Sequence, residues 1–209
     1  MRSREKLLEG SRLCVIINMD TSTLGRALKT ARSVVKAGVD IIQLRCKGQN
    51  TLEAIKAAVA IRRMTLGRTI FIVNDRLDVA AASSADGLHI GNGDVSIRLA
   101  RKLLGKKMIV GISASRLKEA MDAKKRGASY IGVGPVFKTP IKHGKSPVGA
   151  RLLADIRKLN IPLFAIGGIN EGNIKKLTSK GFKCVAVIRA VTEAPSPFLA
   201  AIRLKEAIA

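Results

Sequence analysis

The stretch FIVNDRLDVAAASSADGLHIGNGD, residues 71–94, contains two short apolar runs separated by a helical pattern. Both runs are apolar on consecutive residues, which is typical of parallel strands buried on both faces. The intervening residues 76–84 predict a short helix. Asp75 and Asp94 come just after the two runs, in a chain that is otherwise poor in acids. The stretch therefore predicts a strand–helix–strand unit with carboxylates near its strand ends.

The same pattern recurs along the whole chain. Amphipathic stretches separate the apolar runs, and several end at a glycine that fits a left-handed helix cap, as at Gly38, Gly105, Gly127 and Gly181. Eight runs predict strands: RLCVIIN (12–18), DIIQLR (40–45), TIFIV (69–73), GLHI (87–90), MIVGIS (108–113), SYIGVG (129–134), PLFAIGG (162–168) and CVAVIRA (184–190).

Eight strand–helix units predict an α/β fold, a (β/α)₈ TIM barrel, as a single domain of residues 1–209. An open doubly wound sheet is the alternative, but it usually has five or six strands. Residues 1–12, before the first strand, leave room for an extra N-terminal helix across the bottom of the barrel.

The chain is strongly basic, with 38 Lys and Arg against 15 Asp and Glu and a net charge of +23. Such a charge favours anionic partners: phosphates, nucleic acid or a membrane surface. An aromatic content of only 3%, with no Trp, argues against single-stranded nucleic acid, which usually stacks on rings. The sequence lacks a run of about 18 apolar residues, so we expect no membrane span. We read no signal peptide and expect a cytoplasmic protein.

The three cysteines, Cys14, Cys46 and Cys184, are widely spaced and form no CxxC pair. Neither a zinc site nor a disulfide framework is indicated. Cys46 lies between Arg45 and Lys47, which could lower the pKa of its thiol. An unreactive thiol near a basic site is nevertheless the favoured interpretation.

In a TIM barrel the chemistry lies where strands end and the following loops begin. The polar strand ends here offer cations, hydroxyls, carboxylates and glycines. Arg45, Lys47 and Lys142 can neutralise phosphate oxygens. Gly167 and Gly168 let backbone N–H groups approach an anion beside a helix start. The sixth loop, residues 134–147, is long and basic, as in a lid over an active site.

Asp75 and Asp94 suit a hard cation such as Mg²⁺, which takes one or two carboxylates plus substrate phosphates. They could equally cap the helices that follow them, and spacing alone favours capping. Asp78 and Asp86 are interpreted as structural. His89, in an apolar strand, is interpreted as a hydrogen-bonded core residue rather than a base.

Several motifs together resemble the thiamine-phosphate synthase family over residues 13–192. They are AGVDIIQLRCKGQN, FIVNDRLDVAAASSADGLHIGNGD, GASYIGVGPVFKTPIK, IPLFAIGGIN and GFKCVAVI. The resemblance implies a (β/α)₈ barrel transferase of thiamine biosynthesis. It would join hydroxymethylpyrimidine diphosphate to the thiazole phosphate substrate, or to the carboxylated form of that substrate, releasing diphosphate. It also implies a dissociative mechanism assisted by Mg²⁺.

The resemblance also implies roles for individual residues. Arg45, Lys47, Ser113 and Lys142 would be catalytic, and Asp75 and Asp94 would be the Mg²⁺ ligands. The pyrimidine diphosphate would contact Gln43, Leu44, Arg45, Cys46, Lys47, Asn74, Ser113 and Lys142. The thiazole phosphate would contact Thr139, Pro140, Ile141, Gly168, Ile188 and Arg189.

Some positions depart from the family pattern. Ile141 stands where a second Thr is common, and Arg189 stands where Ser is common. A thiazole tautomerase-like relative is one alternative, but Ser115 occupies the place where such proteins use a His. A basic nucleic-acid-binding protein on a barrel scaffold is the other. The expected partners are small phosphorylated molecules rather than membranes or nucleic acid, and a homo-oligomer is left open.

Overall fold

The computed structural model describes residues 4–91, 95–140 and 146–209. Eight parallel strands follow one another in chain order and close into a barrel. This topology confirms the predicted (β/α)₈ TIM barrel and excludes the open sheet. The strands are β1 Leu13–Asn18, β2 Ile41–Arg45, β3 Ile70–Asn74, β4 Gly87–Ile90, β5 Ile109–Ala114, β6 Tyr130–Val133, β7 Leu163–Ile166 and β8 Val185–Val187.

Helices surround the barrel, and none in the described ranges is long and apolar enough to cross a membrane. They are α1 Arg4–Glu9, α2 Leu24–Lys36, α3 Thr51–Thr65, α4 Leu77–Ala82, α5 Ile97–Leu104, α6 Leu117–Lys125, α7 Ala150–Arg157, α8 Lys175–Thr178, α9 Arg189–Thr192 and α10 Pro197–Ile208.

Two elements differ from the sequence-based expectation. The eighth strand ends at Val187, and Arg189 begins α9, because the N–H groups of Val191 and Thr192 turn back to the carbonyl of Ile188. The amphipathic stretch EGNIKKLTSKG, residues 171–181, predicts a helix, but it is helical only over Lys175–Thr178. Its start is taken by a turn in which Asn170 Oδ1 accepts the N–H of Gly172 at 2.9 Å, and such local bonds compete with the helix.

The core has two layers because successive strand residues point to opposite faces. Outward-facing residues pack under the helices, whereas inward-facing residues fill the barrel. Leu8 of α1 joins the inner layer beside residues that begin the strands, so α1 covers the bottom of the barrel. The inner layer consists of Leu8, Cys14, Ile16, Ile41, Ile70, Ile72, Ile109, Tyr130, Phe164 and Ala186.

Strand register brings polar residues to the upper end of the barrel. Asn18 of β1 lies beside Arg45 of β2, which lies beside Asn74 of β3. Asn74 in turn lies beside His89 of β4. Four consecutive strands therefore present polar side chains at one level, where the loops that follow the strands begin.

We predict that Gly111→Ala destabilises the fold by about 2–3 kcal/mol, because overpacking of a filled core costs this much. A Cβ at Gly111 would lie 2.1 Å from Cζ of Tyr130, a buried ring inside the barrel. Urea unfolding measures the loss. Gly25→Ala is the control, because a Cβ there, within α2, meets nothing within 4 Å. Equal stability of the two variants would contradict the prediction.

Candidate active site

A first cluster at the barrel mouth fixes the guanidinium of Arg45. Arg45 Nη1 donates to Asn18 Oδ1 at 3.0 Å and forms an ion pair with Asp20. The other carboxylate oxygen of Asp20 accepts the N–H of Gly48 at 2.9 Å. Asp20 lies in a 3₁₀ turn after β1 and was not among the predicted site residues. The cation therefore points into the mouth while a carboxylate from the neighbouring loop holds it.

A second ion pair lies beside the first. Lys47 Nζ is 2.5 Å from Asp75 Oδ2, and Asn74 Nδ2 donates to the same oxygen at 2.5 Å. Asp75 has a positive φ of 62°, a conformation that Asp tolerates better than most residues. Its N–H donates to the carbonyl of His89 at 2.8 Å. Asp75 is thus fixed at the end of β3, beside the two mouth cations.

The capping interpretation of Asp75 is wrong. Helix α4 begins after Arg76, whose side chain makes no capping bond, so Asp75 does not cap it. Helix α5 is capped by Ser96, whose hydroxyl accepts the N–H of Leu99 at 3.2 Å. Asp94 itself lies outside the described residues, as do Ile141 and Lys142, so their proposed roles stay predictions.

The interpretation of Asp78 and Asp86 as structural residues is confirmed. Asp86 Oδ2 accepts from Arg62 Nη1 at 2.9 Å and from the N–H of Phe71 at 3.0 Å, and it is only 8% exposed. Asp78 lies within α4 and pairs with Arg76. Both therefore hold the fold and do not face the mouth cluster.

Polar side chains also lie inside the barrel, just below the mouth. His89 Nδ1 is 2.9 Å from the hydroxyl of Tyr130, and His89 Nε2 is 2.9 Å from Ser113 Oγ. Gln43 and Tyr130 line the same small space inside the barrel. His89 is buried and hydrogen-bonded, as predicted. Gln43 and Ser113, two predicted substrate-binding residues, are brought together in this group, and the sequence did not reveal the part of Tyr130.

Two of the predicted substrate-binding side chains point away from the mouth. Leu44 and Cys46 are fully buried in the layer between the strands and the helices. Strand alternation is the reason, since Gln43 and Arg45 face inward. Binding by Leu44 and Cys46 is thereby limited to their backbone groups. Burial also raises the pKa of the Cys46 thiol to about 11, and this outweighs the nearby arginines.

We therefore predict that Cys46 resists alkylation in the native protein. With a pKa of about 11, roughly one thiol in a thousand is ionised at pH 8, and the thiolate is the reactive form. Labelling should rise only as the pH approaches 11. Iodoacetamide treatment followed by peptide mass spectrometry measures it, with the less buried Cys184 as the internal comparison. Faster labelling of Cys46 than of Cys184 at pH 8 would contradict the prediction.

A cavity of about 330 Å³ opens on the opposite side of the mouth. The sixth loop reaches it because the N–H groups of Val136 and Phe137 donate to the carbonyls of Ile166 and Gly167 at 2.9 and 3.0 Å. This pairing joins the ends of β6 and β7. Five predicted thiazole-phosphate residues line the cavity together: Thr139, Pro140, Gly168, Ile188 and Arg189.

The floor of the cavity depends on Gly168. Its φ is 67°, and a Cβ there would lie 2.5 Å from the carbonyl oxygen of Lys138. Asn173 Nδ2 donates to the Gly168 carbonyl at 2.8 Å. Asn170 also donates to this carbonyl, at 3.4 Å. Sequence reasoning missed both asparagines, although GGIN with a second Asn three residues later is a local signal for such a turn.

Arg189 enters the cavity already paired. Its Nε donates to Glu193 Oε2 at 2.8 Å, one turn further along. Glu193 also lines the cavity and was not predicted. Arg189 and Glu193 therefore bring charges of opposite sign to the cavity.

Residues 13–191 match the sequence model of the Thiamine monophosphate synthase family. The chain belongs to this family. Two curated thiamine-phosphate synthases are similar to it. One, from Prochlorococcus marinus, is 40% identical over 202 residues, which are 96% of this chain and 57% of that protein. The other, from Methanosarcina barkeri, is 43% identical over 168 residues, which are 78% of this chain and 76% of that protein.

A solved member resembles the chain over nearly its full length. It is a thiamine phosphate pyrophosphorylase from Pyrococcus furiosus, with a TM-score of 0.85, 32% identity, and coverage of 98% of this chain and 96% of that chain. The chain spans little more than half the length of the first curated relatives that it matches. Membership in the thiamine monophosphate synthase family fits the arrangement of phosphate-binding residue types at the mouth.

Within this family, Ser115 bears on the tautomerase alternative. Its N–H and its hydroxyl both donate to Glu119 Oε2, at 2.7 and 3.2 Å, at the start of α6. Serine lacks a group that takes up a proton near neutral pH, and this one is engaged with a helix terminus. The position that would need a His thus serves local structure.

Proposed function

We propose that the protein is a thiamine-phosphate synthase. It would join 4-amino-2-methyl-5-hydroxymethylpyrimidine diphosphate to 4-methyl-5-hydroxyethylthiazole phosphate, or to its carboxylated form, and release diphosphate. The observation that carries the proposal is the presence of two cation-bearing subsites at one barrel mouth. Arg45 and Lys47 lie on one side, and Arg189 lies in the 330 Å³ cavity on the other. Two substrates that both carry phosphate need such a pair of subsites.

A small space inside the barrel adjoins the 330 Å³ cavity. The inner polar group of Gln43, His89 and Ser113 borders this space, whose wall includes Ile166 and Ala186. The same two residues line the 330 Å³ cavity. A pyrimidine over Ser113 and a thiazole in the cavity would therefore share a boundary. This supports placing the carbon that accepts the bond next to the nitrogen that forms it.

Each of three cations at the mouth is ion-paired with a carboxylate, which a substrate phosphate could replace. Arg45 is paired with Asp20, Lys47 with Asp75 and Arg189 with Glu193. An arriving diphosphate would take over Arg45 and Lys47 through charge-assisted hydrogen bonds, which are stronger than neutral ones. The freed carboxylate of Asp75 would then be available to a cation.

The donor chemistry at Asp75 fits Mg²⁺. Carboxylate oxygens are the ligands that this ion prefers, and it usually keeps several waters and substrate phosphates in its shell. Asp75 and Asp94 would hold it, and when bound it would offset charge on the leaving diphosphate.

The proposed reaction is dissociative. The bond between the pyrimidine methylene carbon and the diphosphate oxygen breaks first, and its electron pair leaves with the diphosphate. The thiazole nitrogen then donates its lone pair to the resulting pyrimidine cation. In this scheme Arg45 and Lys47 stabilise the leaving anion, which is where charge develops. Ser113 and Gln43 hold the pyrimidine above the buried barrel interior, away from bulk water.

The test is a synthase assay on the purified chain with both substrates. Thiamine phosphate and diphosphate should form in equal amounts with Mg²⁺, and the reaction should stop with a chelator. Excess Mg²⁺ should restore it. Failure to form thiamine phosphate under these conditions would refute the proposal, and full activity in the chelator would refute its metal requirement.

The net charge of +23 favours one second candidate, a nucleic-acid-binding protein. Binding to phosphate backbones weakens steeply with salt. A salt-titrated RNA-binding assay therefore separates the two functions. Tight, salt-sensitive RNA binding without synthase activity would favour the second candidate.

A further inference from the structure

A group of polar side chains crosses the barrel interior, and strands β2, β4, β5 and β6 supply its members. Gln43 and Tyr130 line the same space, Tyr130 contacts His89, and His89 contacts Ser113. Gln43, His89 and Tyr130 are 4%, 8% and 4% exposed. Ser113 is only partly buried and is the member nearest the mouth. These side chains therefore connect the buried phenol of Tyr130 with the hydroxyl of Ser113, which a substrate can reach.

Packing fixes the rings of His89 and Tyr130. The ring centroids of His89 and Tyr130 are 5.4 Å apart, and Phe164 meets the phenol edge-on at 5.6 Å. Gly111 and Gly132 make room for them, since a Cβ at Gly132 would lie 3.3 Å from His89 Cε1. Both rings are therefore closely packed inside the barrel.

The hydrogen bonds have a direction that follows from the number of protons. In its neutral form the imidazole of His89 carries one proton, so one ring nitrogen donates and the other accepts. Burial raises the pKa of Tyr130 well above its usual value, so the phenol keeps its proton. A neutral phenol is a stronger donor than acceptor toward an unprotonated ring nitrogen, so Tyr130 donates its proton to His89 Nδ1. His89 then carries its own proton on Nε2 and donates it to Ser113.

We propose that Tyr130 is a positioning residue that holds His89 in its Nε2–H tautomer and so turns the Ser113 hydroxyl proton toward the mouth. The inference rests on the proposed function, in which Ser113 contacts the anionic pyrimidine substrate. In the opposite tautomer, Ser113 would donate its proton to His89 Nε2. It would then face the substrate with lone pairs only, which repel a phosphate oxygen.

The tautomer can be read directly by ¹⁵N NMR on histidine-labelled protein without substrate. The chain has only two histidines, His89 and His143, and His143→Gln identifies the signals of His89. The two nitrogens of each neutral tautomer have well-separated shifts. We expect a protonated Nε2 and an unprotonated Nδ1 in the native chain, and a mixture of both tautomers in Tyr130→Phe. A native Nδ1–H tautomer, or an imidazolium, would overturn the proposal.

Kinetics give an independent readout. Tyr130→Phe keeps the ring against Phe164 and removes only the hydroxyl. We expect kcat to fall about tenfold, because a hydrogen bond to a charged group is weakened, while KM for the thiazole phosphate changes less than twofold. Thr69→Val is the control, since it removes another buried hydroxyl, which donates to the Val39 carbonyl at 3.0 Å. It should leave both values and the His89 shifts unchanged.

The outcomes separate the two proposals. Full kcat in Tyr130→Phe, together with a lost tautomer preference, would overturn the positioning role. Inactive native protein would overturn the proposed synthase function, and the ¹⁵N shifts of the same sample would then decide the tautomer on their own. We expect Tyr130→Phe to show a tenfold fall in kcat and ¹⁵N shifts of a tautomer mixture. We expect Thr69→Val to be unchanged in both.

Discussion

Replacing Asp75 by asparagine is expected to slow Mg²⁺-dependent diphosphate release by about a thousandfold. A catalytic metal typically supplies several kcal/mol of charge stabilisation, and each 1.36 kcal/mol is a factor of ten. Asparagine tolerates the positive φ of 62° at this position, so the backbone at the end of β3 should persist. Asp75→Ala should lose as much activity. Steady-state assays over a Mg²⁺ titration measure both.

Asp78→Asn is the matched control for this prediction. It removes the same charge three residues away, on α4, where Asp78 is half exposed and pairs with Arg76. We expect its activity to stay within about twofold, since surface ion pairs contribute little. Equal activity of Asp75→Asn and Asp78→Asn would mean that the carboxylate at the mouth holds no metal.

Gly168→Ala is expected to lower kcat/KM for the thiazole phosphate by about a hundredfold. A Cβ there would lie 2.5 Å from the Lys138 carbonyl oxygen and 2.8 Å from the Phe137 Cβ. The sixth loop would have to move away from the end of β7, and misplacing a binding group by about 1 Å can cost a hundredfold. Kinetics at saturating pyrimidine diphosphate measure the effect.

Gly67→Ala is the control that separates two effects of Gly168→Ala, the backbone strain and the loss of the thiazole cavity. Gly67 also has a positive φ, 74°, but a Cβ there meets nothing within 4 Å. It lies in the loop before β3, at the bottom of the barrel. Both variants should lose about 1 kcal/mol of stability from the left-handed conformation, and only Gly168→Ala should lose thiazole affinity. A similar kinetic loss in both would contradict the assignment of the cavity.

The barrel could be predicted because its strands are short apolar runs with glycine-marked helix ends between them. The predicted eighth strand is too long, because the run 184–190 continues past the point where Arg189 begins a helix. An apolar residue packs equally well at the end of a strand and in the first turn of a helix. Helix α10, by contrast, carried a readable start signal in Ser196 and Pro197 that was missed.

The site was only partly predictable. In the sequence, Gln43, Arg45 and Lys47 alternate with Leu44 and Cys46. This alternation could have excluded the side chains of Leu44 and Cys46 from the predicted substrate contacts. Asp20 carried no such signal, because its contact with Arg45 depends on how a turn folds between two strands. The same holds for Tyr130, which reaches His89 only through the closure of the barrel.

Tyr130 is the only tyrosine of a chain that has no tryptophan. The ultraviolet emission of the unmodified protein, excited in the tyrosine band, must therefore come from one ring inside the barrel. The hydrogen bond between that ring and His89 affects its fluorescence intensity. The molecule thus contains its own optical probe, placed between the packed interior and the mouth. Unfolding and occupancy of the mouth could both be followed with it in real time, and no dye need be attached.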